Sequence, residues 1–424
     1  MAAEFASLEG WLGHIEGLHS RPIDLGLERV QQVFAALGAK SDAVVITVGG
    51  TNGKGSSCAM LEAILRAAGY HVGLYTSPHL LRYNERVRLD LAEASDAQLC
   101  AAFAAVDAAR GQVALTYFEF GTLAAWWLFC QQALDVIILE VGLGGRLDAV
   151  NVIEPDCAIV TSVAMDHMDY LGDSREQIGF EKAGIYRAGK PAICGDPQAP
   201  ATLIEHARAI GADLLVQGRD YGFSGDKQQW KFIGRRQSRN SLAYPALRGA
   251  NQLLNASAVL AALEAIEELL PVPMQAVRQG LMMVELPGRF QVLPGRPSVV
   301  LDVAHNPQAA AVLADNLSNM GFFPDTWAVC GMLADKDIEG SLRAMLPRVD
   351  HWLLTDLPGP RGARASDLMT ILRGLGAKGR IELFADPHSA FLSARERVSE
   401  GDRIVAFGSF LTVADVMPVA TQSR

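Results

Sequence analysis

The sequence predicts an α/β chain in two parts: an N-terminal parallel-sheet domain with a phosphate loop and a small β insertion, then a smaller Rossmann-like α/β domain. Three observations carry this. Short apolar runs alternate with helix-length stretches through "KPAICG" at 190–195. The texture then changes over residues 214–248 to short hairpin-like strands. Beyond a stretch rich in proline and glycine, the strand and helix alternation begins afresh.

In the first part the strand candidates are "AVVITV" (43–48), "HVGLY" (71–75), "LDVIILEVG" (134–142), "DCAIVTSV" (156–163) and "KPAICG" (190–195). Between them lie stretches long enough for crossover helices, which is the rhythm of a parallel sheet. The helix after the first run places Met60, Leu61, Ile64, Leu65 and Ala68 on one stripe, the pattern of a helix laid on a sheet. "LLVQGRDYGFSGDKQQWKFIG" reads as hairpin strands with Gly-Asp turns, the small β insertion. A helix follows from about Asn251 to Leu270. "PVPMQAVRQGLMMVELPGRFQVLPGRPS" then sets the domain boundary, giving domains 1–286 and 287–424. "SVVLDVA", "TWAVCGM", "HWLLTD", "RIELFA" and "RIVAFGS" supply the second sheet.

Composition narrows the function classes. At 424 residues, half of them apolar, the chain can bury a large core. A formal charge of −10 excludes a general nucleic-acid binder, whose affinity rests on a broad basic surface, so an anionic substrate must be held locally. The six cysteines lie far apart with no C-x-x-C pair, which signals neither a zinc site nor a disulfide framework and fits a reducing cytoplasm. The N-terminal twenty residues lack a basic flank followed by an apolar core, and no run reaches eighteen apolar residues. Neither export nor membrane insertion is expected.

The chemistry concentrates after the strands. "TVGGTNGKGSS" (47–57) resembles a phosphate loop, in which glycines let backbone N–H groups approach phosphate oxygens and Lys54 supplies a point charge at a helix start. It departs from G-x-x-x-x-G-K-[ST], because Val48 replaces the first glycine and Gly55 follows the lysine. Ser56 or Ser57 is then the hydroxyl within reach of a magnesium ion. Glu140 ends its strand before Gly142, Gly144 and Gly145, Ser77 follows another strand, and Asp166 and His167 follow a third. Ligands of open α/β sheets sit outside the carboxyl ends of strands, so these groups should converge on the phosphates and form an oxygen-rich magnesium site. On spacing alone His167 reads as a hydrogen-bonded or exposed loop residue, and Lys182 in "SREQIGFEKAGIYRAGKP" as a solvated charge on a helix capped by Ser174. In the second part Asp302, His305 and Asn306 end a strand, with Asn306 also able to cap the helix that Pro307 opens and Asp302 to form the turn, and Arg289 lies at the presumed hinge.

As an ordered set, "GTNGKGS", "TSPHLLRYNERVR", "EVGLGGRLDAVN", "DHMDYLG", "FEKAGIYRAGKP", "NQLLNA", "LPGRF" and "DVAHNP" resemble the bifunctional dihydrofolate synthase/folylpolyglutamate synthase family, a branch of the Mur ligases. The resemblance runs from about residue 23 to about residue 407, and the loop with glycine between lysine and serine is that branch's own variant. It implies an ATP-dependent ligase joining L-glutamate to dihydropteroate and to reduced folates through an acyl phosphate. ATP would be contacted by Asn52, Gly53, Lys54, Gly55 and Ser56, by Asn255 at the adenine, and by Arg289 and Asp302. One magnesium would be held by Ser77 and Glu140, a second by Glu140 and His167, with Lys182 carbamylated beside it. The pterin pocket would be lined by Asp24, Leu25 and Gly26, by Thr116, Tyr117 and Phe118, and by Asp148 and Ala149. "IDLGLERV" and "LTYFEFG" favour the bifunctional form. Lys54, Lys182 and His305 are the catalytic candidates, the last orienting glutamate or taking its ammonium proton. Closure about residues 286–296 should assemble the site. The expected protein is a cytoplasmic monomer working on small molecules, with neither nucleic-acid nor membrane partners.

Overall fold

The computed structural model describes residues 5–21, 23–226, 228–249 and 251–422; residues 1–4, part of the segment read above for an export signal, lie outside them. The chain divides into two units. One takes the chain up to Val163, Leu171–Ala246 and Leu253–Val284; the other takes Ala164–Tyr170, Leu247–Gln252 and the chain from Glu285 onward. The sequence-based boundary after residue 286 therefore compares with a division after Val284, but two short segments read as part of the first domain group with the second unit. The first of them is tied there by Asp166, whose carboxylate accepts from Lys336 Nζ at 2.7 Å.

The first unit is built on β1 (Val44–Gly49), β2 (Val72–Tyr75), β3 (Val87–Leu89), β4 (Ala92–Glu93), β5 (Val136–Glu140), β6 (Cys157–Val160), β7 (Pro191–Cys194) and β8 (Asp213–Val216). Among the described residues they form one sheet in the order β4-β3-β2-β5-β1-β6-β7-β8. Pairing is parallel from β2 across to β8, and β3 and β4 extend it antiparallel. The strand interiors are apolar because helices cover both faces of a parallel sheet. Met60, Leu61, Ile64 and Leu65 of the helix Lys54–Ala67 are fully buried, each contributing roughly 1.5–3 kcal/mol.

The sequence reading needs one correction in this unit. "LLV" at 214–216, assigned to the insertion, is the edge strand β8, with Leu214 opposite Ala192 and Leu215 opposite Ile193. Its apolar residues are needed to finish the sheet. The insertion itself is a separate three-stranded antiparallel sheet of β9 (Gly222–Gly225), β10 (Trp230–Ile233) and β11 (Ser238–Leu242), with Trp230 and Phe232 turned inward.

The second unit carries β12 (Gln291–Leu293), β13 (Ser298–Leu301), β14 (Thr326–Cys330), β15 (His351–Thr355), β16 (Arg380–Phe384) and β17 (Arg403–Phe407). Their order is β12-β13-β17-β14-β15-β16, parallel except for the edge hairpin of β12 and β13. Trp352 and Phe407 meet edge to face in its core, ring centroids 6.3 Å apart. The helix Pro307–Ser318 starts as the sequence indicates: Pro307 is its first residue and Asn306 caps it, accepting from Ala309 N at 2.9 Å.

Candidate active site

The order of the first sheet explains where its polar groups collect. β1 lies between β5 and β6, and the parallel registers set Val48 opposite both Glu140 and Ile159. The loop leaving β1 is therefore flanked by the carboxyl ends of β5 and β6, the usual ligand position of such sheets. Two hydroxyls after β6 pin this loop. Thr161 Oγ1 and Ser162 Oγ both donate to Asn52 O, at 2.7 and 3.0 Å, and Asn52 N donates back to Ser162 Oγ at 3.0 Å. Gly53 caps the following helix in a left-handed conformation, φ 90°, and a Cβ there would stand 2.4 Å from Asn255 Oδ1. Asn255 thus reaches the loop from the helix Gln252–Ala265. Lys54 Nζ donates to Gly50 O and Thr51 O at 3.0 and 3.2 Å, which curls the ammonium over the loop it serves. Ser56 and Ser57 are both buried in the first helical turn.

Glu140 is buried at the end of β5, and its Oε2 accepts from Ser77 N at 3.0 Å. Ser77 follows β2, the neighbour of β5, so sheet order brings these two together. A carboxylate beside a hydroxyl is a hard oxygen donor set that fits magnesium, an ion that completes its octahedron with waters and substrate phosphates. Lys182 departs from the sequence reading: it is 3% exposed, not a solvated charge. The helix Arg175–Ala183 presses it inward beside Ile178, and Arg146 N donates to Glu181 O at 2.8 Å, docking this helix on the loop after β5.

Two of the three segments expected at the pterin join through residues that the sequence reading did not assign. Arg29 bridges Asp24 and Glu119, at 2.7 and 2.9 Å, and also donates to Asp24 O. Glu119 in turn accepts from Thr116 N at 2.7 Å, closing a capping box. Asp24, Leu25 and Gly26 are thereby held to Thr116, Tyr117 and Phe118. The Phe118 ring lies on Gly142, where a Cβ would be 2.6 Å from the ring, and its centroid is 6.0 Å from that of Tyr75. The next residue, Leu143, donates its N–H to Asp148 at 2.8 Å, and Val150 N does so at 3.0 Å. Burial raises the Asp148 carboxyl to about 6 against these hydrogen bonds and the Lys54 charge. Ala149 is buried next to it.

In the second unit Asp166 is the hub. It accepts from Lys336 Nζ at 2.7 Å and from Asn306 Nδ2 at 3.4 Å, and His305 Nε2 stands 3.6 Å away. Burial opposes its ionisation, but His305, Lys336 and His167 hold its carboxyl well below the usual range. Lys336 Nζ also lies 3.1 Å from His167 Nε2. His305 Nδ1 faces Val303 O at 2.8 Å; a carbonyl only accepts, so Nδ1 carries a proton and Nε2 is the nitrogen turned toward Asp166. Asp302 accepts from Phe290 N and Ala304 N, both at 2.8 Å, fixing the backbone beside Arg289, whose guanidinium lies 4.8 Å from the Phe410 centroid. Burial raises the Asp302 carboxyl, with Arg289 opposing. Sequence reasoning placed Asp302, His305 and Arg289 but passed over Lys336 in "ADKDI".

Two family models match the chain: the Mur ligase middle domain over residues 48–263 and the Mur ligase glutamate ligase domain over residues 288–410. The chain is 46% identical over 418 residues to a dihydrofolate synthase/folylpolyglutamate synthase of Escherichia coli, covering 98% of this chain and 96% of that one. It belongs to the dihydrofolate synthase/folylpolyglutamate synthase family of Mur ligases. Solved members of the family have the same fold. The Escherichia coli structure, bound to DHPP and ADP, superposes with a TM-score of 0.93 at 46% identity, over 98% of each chain. A bifunctional folylpolyglutamate synthase/dihydrofolate synthase with manganese, AMPPNP and L-glutamate bound gives 0.92 at 45% identity, over 99% of this chain and 100% of that one.

Proposed function

We propose that this chain is an ATP-dependent amide ligase. It joins L-glutamate to dihydropteroate, giving dihydrofolate, and to reduced folates, giving polyglutamates, through an acyl phosphate with release of ADP and inorganic phosphate. The observation that carries this reading is the adjacency within the first unit of a phosphate loop, the Ser77 and Glu140 pair, and the Phe118 ring packed on Gly142 in the loop after Glu140.

A free carboxylate does not accept an amine at neutral pH, because oxide is too poor a leaving group. The acceptor's carboxylate oxygen first attacks the γ-phosphorus of ATP, and the bond to the β-phosphate oxygen breaks. The glutamate amine then attacks the acyl carbonyl and phosphate departs. The loop N–H groups and Lys54 hold the phosphates for the first step, where positioning and charge stabilisation dominate. Ser77 and Glu140 would hold magnesium, which neutralises charge on the transferring phosphoryl group. His167 is the imidazole candidate for the second ion, and a carbamate on Lys182 would turn a buried cation into an anion suited to the same chemistry. Arg289 and Asp302 are assigned to ATP, and Asn255 to its adenine. Thr116, Tyr117, Phe118, Asp148 and Ala149, with Asp24, Leu25 and Gly26, orient the pterin. His305 is assigned to orienting glutamate or taking its ammonium proton.

Among the described residues no helix is long and apolar enough to cross a membrane, and all six cysteines are free. With those free thiols we place the ligase in a reducing cytoplasm, as a monomer. The deciding experiment is product analysis by mass, with ATP, magnesium, glutamate and each acceptor in turn. The reading requires ADP, phosphate and one added glutamyl unit with dihydropteroate. Amide formation with AMP as the nucleotide product, or phosphate release indifferent to glutamate, contradicts it.

A further inference from the structure

Beside Thr76 and Tyr117 lies an arginine with no role assigned above. Arg86 N–Cα–C is anchored at the sheet: its carbonyl accepts from Thr76 N at 2.9 Å, one residue before Ser77. Its Nε donates to His79 Nδ1 at 2.8 Å. The guanidinium carbon stands 5.4 Å from the Tyr83 ring centroid and 5.5 Å from that of Tyr117, the neighbour of Phe118. Those two rings meet edge to face at 5.9 Å, so the guanidinium is braced on two aromatic surfaces and on an imidazole.

The brace supplies no negative charge. Among the described residues no carboxylate lies within 4.0 Å of Arg86. The carboxylate of its sequence neighbour Glu85 is turned away and occupied, accepting from the backbone N–H groups of Leu80, Leu81 and Arg82, each at 2.7 Å. Arg86 is only partly buried, so a ligand can reach it. A guanidinium already fixed in place loses little rotamer freedom when it takes a carboxylate on its two remaining nitrogens, which is where arginine gains over lysine.

The acceptors differ in the group such a cation would read. Dihydropteroate has one carboxylate, the one that reacts. A folate ending in glutamate presents its γ-carboxylate for reaction and keeps an α-carboxylate that must be balanced close by. Resting on the two-acceptor function above, we propose that Arg86 is a specificity-determining residue that binds the α-carboxylate of a glutamyl-terminated acceptor.

The test uses the full-length enzyme with magnesium ATP and three acceptors: dihydropteroate, tetrahydropteroyl monoglutamate, and the same monoglutamate with its α-carboxylate converted to the amide. Arg86→Met keeps the apolar stem between the tyrosines, and Arg86→Lys keeps charge without the fork. Loss of a charged hydrogen bond predicts that Arg86→Met lowers kcat/KM for the monoglutamate about 10- to 100-fold, chiefly through KM. Use of dihydropteroate changes by less than about threefold, a small fraction of that loss. The wild type discriminates against the α-amide by a similar factor, Arg86→Met does not, and Arg86→Lys is intermediate. Equal losses on both acceptors would make Arg86 a structural brace, and a wild type indifferent to the α-amide would remove the ligand; either overturns the proposal. Ligation of neither acceptor by the wild type would instead reject the function on which it rests.

Discussion

The backbone N–H of Ser77 donates to Glu140 Oε2 at 3.0 Å, coupling the carboxyl ends of β2 and β5. This bond survives in Glu140→Gln, because an amide oxygen accepts as a carboxylate does, while the charge is lost. The variant should fold with an unchanged thermal midpoint and release phosphate about 10²–10³-fold more slowly at saturating ATP, the magnitude typical of a lost transition-state charge contact. A turnover within a few-fold of the wild type would remove Glu140 from the metal assignment.

Lys54 donates to two carbonyls of its own loop, so its replacement acts on both structure and charge. Lys54→Met should cost about 1 kcal/mol of stability from the lost hydrogen bonds and far more in catalysis, on the order of 10²-fold in phosphate release. Urea unfolding and a phosphate assay on one preparation separate the two effects. Equal proportional losses in both would mean that Lys54 only shapes the loop.

Gly53→Ala meets two obstacles, a φ of 90° and Asn255 Oδ1 at 2.4 Å from the new Cβ. Backbone strain of this kind costs about 1–3 kcal/mol, and ATP affinity measured by calorimetry should fall with it. Adding Asn255→Ala relieves the clash but not the dihedral. The double variant should therefore recover stability only in part.

Asp148 gives a pH signature. Its carboxyl titrates at about 6 in the fold against an unfolded value of 3.8, so the fold favours the protonated form. The associated stability is fully present below pH 3.8 and is lost as pH rises through about 6. Asp148→Asn removes the titration and flattens this part of the profile. Denaturant titrations should show the wild type's stability relative to the variant falling by about 3 kcal/mol between acidic and neutral pH. A constant difference would place the carboxyl near its unfolded value.

What was legible in the sequence was local. Strand runs, the phosphate loop, the Ser174 and Asn306 caps and Pro307 at a helix start all announce themselves within a few residues, because dihedral preferences and capping bonds are short-range. Arg29 with Glu119, and Thr161 with Asn52, are joined only by the way the sheet is ordered, across 90 and 109 residues. No motif signals them, although the Thr116 to Glu119 box could have located one partner. On spacing alone Lys182 was misread, because its charge outweighed its position: it is four residues beyond Ile178, on the buried stripe of its helix. The apolar residues of β8 were drawn into the insertion because a short edge strand and a hairpin strand look alike in composition.

Asp166 lies more than a hundred residues upstream of Lys336, yet its carboxylate is the counterion of an ammonium that is only 5% exposed. A fragment cut before Glu285 would strand that ammonium in a poorly solvated place, at a penalty of several kcal/mol. The part from Glu285 onward is therefore no transplantable cassette. A chimera that exchanges it between relatives must carry the heptapeptide Ala164–Tyr170 along, or else replace Lys336 with a neutral residue.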